Sequence, residues 1–215
     1  MEHLTPIPLR TKAASIIRKA ILSGELTSGQ ELSLTAFAQQ LGISRTPVRE
    51  AFQALESDGL ITLRMNKGAI VNQIDEQFIT DHYEVRILLE SEAAARAARL
   101  GMNTAELINA CQLMRESLKN GDSKNYVELN QHIHICIWRA ANNRKLYAML
   151  MNLWNGPSIG RNTNSIDHQY LSNIEHLEIL ESIERNDSDN ARRGMQRHIT
   201  RSMQNILRSY HDALG

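Results

Sequence analysis

The stretch from Gly42 to Val71 constrains the fold most, because a short helix with abrupt ends is followed at once by two extended runs around a tight turn. Thr46 precedes Pro47, so the threonine reads as an N-cap and the proline as the first helical residue, where its missing N–H costs nothing. Val48, Ala51, Phe52 and Leu55 recur at three- and four-residue spacing as a buried stripe, and Gly59 ends the helix. LITLR, a MNKG turn and AIV then read as a hairpin, with Gly68 supplying a turn conformation that side chains resist. Upstream, Ala13, Ala14, Ile16, Ile17, Ala20 and Ile21 predict an amphipathic helix over 11–22. A second, barely two turns long, reads from Thr35 as candidate cap to Leu41, with Gly42 as its stop. Three short helices and a hairpin in this order predict a winged helix-turn-helix.

The polar residues say what such a module could touch. Arg45 stands at the entrance of the third helix, and Arg49 and Gln53 lie opposite its apolar stripe, which is what reading base edges and phosphates in a major groove requires. Arg64 and Lys67 add positive charge at the hairpin, where a wing meets the DNA backbone or minor groove. Glu50 and Glu56 oppose them. Lys plus Arg and Asp plus Glu both number 24, so the net charge is zero, and residues 1–72 hold 8 basic against 6 acidic side chains. A local arrangement doubled by a partner subunit must therefore supply any affinity for DNA. By pattern alone a protein-binding module, with Arg45 and Arg49 as a solvated face, stays open.

The run ILSGELTSGQELSLTAFAQQLGISRTPVREAFQALESDGLI, followed by NKGAIV, resembles the N-terminal domain of the GntR family of bacterial transcription regulators over nearly all of residues 10–72. The resemblance implies that Ser44, Arg45, Thr46 and Arg49 touch operator DNA and that Lys67 and Gly68 form a wing tip reaching the minor groove. Many members carry a basic residue where this chain has Thr35, which puts one contact in doubt.

After Asn72 strand-like alternation almost disappears and helical periodicity takes over. Six helices are predicted, over about 76–100, 103–118, 124–141, 145–154, 165–184 and 189–211. Tyr83, Ile87, Leu88, Ala94 and Ala98 are apolar positions of the first, and Asn103 is the expected cap of the second. Short connections suit an antiparallel bundle. Gly156, Pro157 and Gly160 mark the longest irregular piece. The fold class expected is mainly α, a winged helix-turn-helix over 1–75 and an all-α six-helix bundle over 76–215. With 42% hydrophobic residues in 215, the chain can bury such cores unaided. No apolar run approaches a bilayer span, the opening MEHLTPIPLR lacks a basic-then-apolar leader, and Cys111 and Cys136 are the only cysteines. A cytoplasmic location with no membrane partner is expected.

Within the bundle, His134 falls one helical turn after Asn130, and His176 and His198 lie on the fifth and sixth of its helices. Three imidazoles and an amide oxygen on three helices could close around a divalent transition ion. Spacing alone does not show that they converge, and from the residues alone hydrogen-bonded core or polar-face histidines are the favoured alternative. His132, two residues from both Asn130 and His134, should point elsewhere, and His82, His168 and His211 read as surface or interface residues. Neither a nucleophile-base pair nor a phosphate-cradling glycine loop is present in the pattern.

VRILLESEAAARAA, HICIWRAANN and EHLEILESIERNDSDNARRGMQRHI resemble the FCD-type effector domain of the family's FadR branch across about residues 76–211. Metal-binding members join an aspartate, a histidine four residues later and two further histidines beneath a small-molecule cavity. The matching residues are Asn130, His134, His176 and His198. Asparagine in place of aspartate removes one negative charge while keeping an oxygen ligand. The resemblance thus implies a divalent ion, with Zn, Ni or Mn as candidates, and a small carboxylate effector. Arg86 matches an arginine that approaches this cavity, although an inter-domain or subunit salt bridge is its alternative use; Tyr83, Trp154, Arg161 and Asn173 are candidate rim residues. The expected function is a homodimeric, ligand-responsive transcription factor, a repressor by family precedent, rather than an enzyme. A metal-dependent enzyme and a constitutive DNA-binding protein with a purely structural bundle are the rivals.

Overall fold

The computed structural model describes residues 7–65, 68–123, 125–155 and 166–214. They form two compact units, one from residues 1–80, 152–161 and 205–215, the other from residues 81–151 and 162–204.

The first unit opens with α1 (Leu9–Leu22), β1 (Glu31–Leu32), α2 (Leu34–Leu41), α3 (Arg45–Ser57), β2 (Ile61–Arg64) and β3 (Gly68–Val71). Its core joins Ile17, Ile21 and Leu22 of α1 to Phe52 and Leu55 of α3. Phe37 of α2 meets Phe52 edge-on, with ring centroids 6.0 Å apart. The predicted hairpin is present, and β1 adds a third strand that pairs Glu31 with Ile70 and Leu32 with Ala69, giving the antiparallel order β1-β3-β2. Two residues are too few to show alternation, which is why the sequence does not announce β1. Gly68 is required twice over: its φ is +88°, and a Cβ there would run into the Leu32 carbonyl oxygen of the new strand.

The starts of α2 and α3 lie two residues earlier than expected. Ser33, not Thr35, caps α2, its hydroxyl accepting from the Ala36 N–H at 3.3 Å. In α3 the cap position is Ser44 instead of Thr46, without a side-chain cap bond. Pro47 therefore lies third in the helix, still inside the first turn, where backbone N–H groups have no carbonyl to reach.

The second unit is built from α4 (Glu76–Arg99), α5 (Ala105–Lys119), α6 (Tyr126–Ala140), α7 (Arg144–Leu153), α8 (Ile166–Glu184) and α9 (Ser188–Leu214), with parts of α4, α7 and α9 in the first. Thr104 takes the cap position of α5 without a side-chain bond, while the expected Asn103 accepts from the Ala105 N–H. Tyr83, Ala94 and Ala98 are buried as expected, but Leu88 is 71% exposed. The inward stripe of α4 runs instead through Arg86 and Glu90, which are 4% and 0% exposed, so polar groups hold places the pattern assigned to leucine. Gly194 lets α9 approach α8 closely: a Cβ there would meet Ile179 Cγ1 at 3.0 Å, one turn before His198.

Candidate functional site

Two sites follow from this frame, one on a surface and one buried. On α3 the apolar stripe faces the core and leaves Ser44, Arg45, Thr46, Arg49 and Gln53 exposed. Arg45, Arg49 and Gln53 recur every four residues, hence along one face. Arg64 is different: its guanidinium meets Glu31 of β1 at 3.0 Å, so the third strand brings a carboxylate to the hairpin's charge. Glu56, which looked unfavourable beside DNA, accepts the Leu63 N–H at 2.8 Å and fastens α3 to β2. Lys67 lies outside the described residues, and Gly68 is accounted for by the sheet.

In the bundle, α6, α8 and α9 each contribute one buried imidazole, those of His134, His176 and His198. His176 Nε2 lies 3.3 Å from His134 Nε2 and 3.2 Å from His198 Nε2. Nitrogens sharing one ion at about 2.1 Å are separated by roughly 3.0–3.4 Å, so the spacing fits a common cation. Two of the three opposite nitrogens are held, while His176 Nδ1 is buried with no hydrogen-bond partner among the described residues. His134 Nδ1 meets Glu90 Oε2 at 2.8 Å, and His198 Nδ1 meets Glu175 Oε2 at 2.7 Å. Each carboxylate accepts a hydrogen bond from Nδ1–H, fixes the tautomer and turns the Nε2 lone pair toward the cluster.

Each carboxylate is gripped by an arginine in turn. Arg86 Nε and Nη2 both donate to Glu90 Oε1, at 2.9 and 2.7 Å. Arg201 Nε donates to Glu175 Oε1 and its Nη2 to Glu175 Oε2, both at 2.6 Å. Two Arg–Glu–His chains thus flank the cluster. Burial alone would raise both carboxyls, but their arginine and histidine partners outweigh it and hold Glu90 and Glu175 at about 2. His176 is driven well below the usual histidine value by burial and by the neighbouring His198 and His134. His198 is also lowered, chiefly by burial, so both stay in the neutral form that can coordinate.

Asn130 lies one turn before His134, half buried. Arg86 sits over the Tyr83 ring, 5.0 Å from its centroid, and its two-pronged edge is already given to Glu90. Asn173 is fully buried; its amide donates to the Cys111 carbonyl at 2.8 Å, and its Oδ1 has no hydrogen-bond partner among the described residues. Trp154 belongs to the first unit, where its carbonyl accepts from Arg18 at 3.0 Å. Arg161 lies outside the described residues, as do Gly156, Pro157 and Gly160. His132 contacts Cys136 Sγ at 3.6 Å and stands apart from the cluster, as its spacing predicts. His168, expected at the surface, is half buried and accepts from Arg201 Nη1 at 2.9 Å.

Glu90, Glu175 and Arg201 are the functional residues that sequence reasoning missed. The signals were slight: Arg86 and Glu90 sit four apart on an apolar helix, Glu175 adjoins His176, and Arg201 follows His198 by three residues.

Two family models match the chain. The profile described as bacterial regulatory proteins, gntR family, matches residues 9–71, and that of the FCD domain matches residues 81–201. The chain is 30% identical over 206 residues to the "Probable D-xylose utilization operon transcriptional repressor" of Paenarthrobacter nicotinovorans, covering 92% of this chain and 88% of that one. It is 25% identical over 198 residues to the HTH-type transcriptional repressor RspR of Escherichia coli (strain K12), covering 89% and 86%. Among solved structures, E. coli McbR/YncC superposes with a TM-score of 0.71 at 20% identity over 95% of this chain and 100% of that one. A metal-free FCD domain gives 0.53 at 19% identity over 66% and 99%. These two likenesses speak to the fold alone.

Proposed function

Given that the chain belongs to the GntR family of bacterial regulatory proteins and carries an FCD domain, we propose that it is a repressor whose grip on operator DNA is set by a small organic acid and a divalent ion in its helical bundle. That it is a DNA-binding transcription regulator, and not an enzyme, follows from family membership and from the repressors among its relatives. Residues 1–75 serve as the DNA-binding domain and 76–215 as the effector domain. Among the described residues no helix is long and apolar enough to cross a membrane; a cytoplasmic place of action belongs to the proposal because that is where operator DNA would be met.

The DNA half of this reading is carried by the exposed row Arg45, Arg49 and Gln53. Arginine donates two parallel bonds to guanine or to a phosphate, and Gln53 can pair with adenine, so α3 enters the major groove while Ser44 and Thr46 position its start on the backbone. One copy offers few phosphate contacts, so the working species is a homodimer on a two-fold operator. Sedimentation of the DNA-free protein at micromolar concentration should show that dimer.

The sensing half is carried by the convergence of three buried Nε2 atoms whose Nδ1 partners are already arranged at two of three positions. His134, His176 and His198 would hold Zn, Ni or Mn, with Asn130 as a weaker oxygen ligand. Such an ion would supply Lewis acidity toward a carboxylate. Arg86, Tyr83 and Asn173 line the approach, Arg86 steadying Glu90 and adding positive potential there. A ligand that prefers one arrangement of the dimer shifts its population and with it the reach of both recognition helices.

The deciding experiment selects binding sites from a random DNA pool, then titrates the selected site with metal-stripped and metal-loaded protein, with and without small carboxylic acids. A shift in affinity of about fivefold or more is expected. Equal affinity in every condition would leave a DNA-binding protein with a structural bundle, and would remove the sensing role.

A further inference from the structure

Of the three imidazoles, the central one has the least support. His134 and His198 each have a glutamate on Nδ1, whereas His176 Nδ1 is buried and meets no hydrogen-bond partner among the described residues. A neutral imidazole whose Nε2 lone pair faces a cation carries its proton on Nδ1, so His176 would present a buried donor with nothing to receive it. Metal-bound histidines almost always give that proton to an acceptor, and a buried hydrogen bond left unmade is costly. A second orphan lies one turn away. Asn173 precedes His176 by three residues on the same face of α8, and the two are 0% and 1% exposed. The orientation of its amide is fixed by its neighbour: Nδ2 donates to the Cys111 carbonyl at 2.8 Å, and a carbonyl only accepts, so Oδ1 is the atom left without a partner.

Side chains on a helix lean toward its N-terminus, which lays the His176 ring over the turn that carries Asn173. Positions three apart have Cβ atoms about 5–6 Å from one another, near enough for one oxygen atom to serve both side chains. The group that answers them must accept from Nδ1–H and donate to Oδ1. A carboxylate oxygen cannot donate and an ammonium cannot accept, while a hydroxyl oxygen does both. Water is the smallest such group, and buried waters typically bond two to four polar groups that have no other partner. Resting on the metal reading above, we propose that Asn173 is a positioning residue for His176, acting through one bridging water molecule. The chain then runs from His176 Nδ1–H to water, to Asn173 Oδ1, and through the Asn173 amide to the Cys111 carbonyl on α5. It does for His176 what Glu90 and Arg86 do for His134, and what Glu175 and Arg201 do for His198, with neutral groups in place of charged ones. The tautomer and ring orientation of the central imidazole depend on residue 173.

The test uses full-length, untagged protein stripped of metal and reloaded. With Zn²⁺ bound and the histidine nitrogens labelled with ¹⁵N, NMR of the wild type should place the His176 proton on Nδ1 and show a rotating-frame Overhauser peak from that proton to a long-lived water. A proton on Nε2, or an Nδ1–H without the water peak, overturns the bridge. Titration with Co²⁺ against a competing chelator then separates the two bonds of Asn173. Asn173→Leu removes both Oδ1 and the donor to Cys111, and should weaken Co²⁺ binding about tenfold, the lower end of the range for residues that support a metal ligand from outside. Asn173→Asp keeps an oxygen for the water while giving up the amide donor, and should stay within about threefold of wild type, since the support of His176 is kept. An Asn173→Leu protein as tight as wild type overturns the positioning role. Equal losses in the two variants assign the effect to the Cys111 bond and overturn the bridge. In each of these cases the wild type still binds metal and the metal reading stands; absence of Zn²⁺ and Co²⁺ binding by the wild type removes that reading and this inference with it. Should a variant not fold, the wild-type NMR decides, because the bridge is read there without any substitution.

Discussion

The exposed face of α3 and the histidine cluster of the bundle solve opposite problems. Arg45 and Arg49 make no hydrogen bond or ion pair with the described residues and stay hydrated until a partner arrives. Around the cluster, Arg86 and Arg201 are committed to Glu90 and Glu175, which are committed to His134 and His198. The first arrangement costs the fold almost nothing and keeps its binding capacity free. The second must be satisfied within the fold, because an unpaired charge in a dry core is expensive. Substitutions should therefore separate the two: on α3 they change binding and spare stability, and beside the cluster they change both.

The largest effect belongs to Glu90. Glu90→Ala removes the carboxylate that accepts from two nitrogens of the buried Arg86 guanidinium and that orients His134. Unfolding in urea should show a loss of about 3–5 kcal/mol. Glu90→Gln, which keeps an acceptor for Arg86, should lose less. If Glu90→Ala unfolds at the wild-type midpoint, the buried chain is not the structural element described here.

Next come the proposed ligands. His134→Ala and His198→Ala each delete one of three imidazoles and should weaken divalent-metal affinity by at least about a hundredfold, read by chelator competition on untagged protein. Arg201→Ala should weaken it less, about tenfold, because it acts only through Glu175 on the orientation of His198. Identical losses for ligand and outer residue would mean that the substitutions act through unfolding and not through coordination, which a circular-dichroism melt run beside the titration separates.

For α3 the expectation reverses. Arg49→Ala should reduce affinity for a selected operator by about 1–3 kcal/mol per recognition helix, with the urea midpoint unchanged within about 0.5 kcal/mol. A folded dimer of this variant that binds its operator as tightly as wild type, at matched salt, would take Arg49 out of the interface.

How far each site was readable from the sequence follows from the same contrast. The recognition helix is contiguous, so its stripe Val48, Ala51, Phe52 and Leu55 and its opposite face Arg45, Arg49 and Gln53 are visible as periodicity, and only cap identity and the two-residue strand β1 escape. The three histidines could be nominated because resemblance supplied the spacing, while their convergence needed α6, α8 and α9 to be placed in space. Glu90 and Glu175 could not be nominated by pattern. A buried glutamate paired with an arginine four residues away on the same helix looks, in sequence, like an ordinary exposed i,i+4 ion pair. Leu88 departs from its pattern for the matching reason: hydrophobicity predicts the inward face of α4, and there Arg86 and Glu90 are buried while Leu88 is exposed. Periodicity fails where function puts charge inside.

The smallest expected effect tests the boundary between the two kinds of residue. Arg64 is exposed like the α3 arginines yet partnered like those in the bundle, through Glu31 at 3.0 Å, with side chains 48% and 73% exposed. A pair so open is worth about 0–1 kcal/mol to the fold, so neither Arg64→Ala nor Glu31→Ala should move the urea midpoint appreciably. DNA can then compete with Glu31 for the guanidinium. If the wing contacts a phosphate, Arg64→Ala should weaken operator binding by less than Arg49→Ala does, equally across sequences, and should lower the magnitude of the log-affinity versus log-salt slope by about one per contact. Glu31→Ala should act in the opposite direction, strengthening binding modestly, because it releases Arg64 and removes a carboxylate from beside the backbone. The pair of variants is more informative than either alone. Opposite shifts assign Arg64 to the DNA surface, and no shift in either leaves it as a strand-to-strand ion pair, with the contrast between a free surface and a satisfied interior running through the first unit itself.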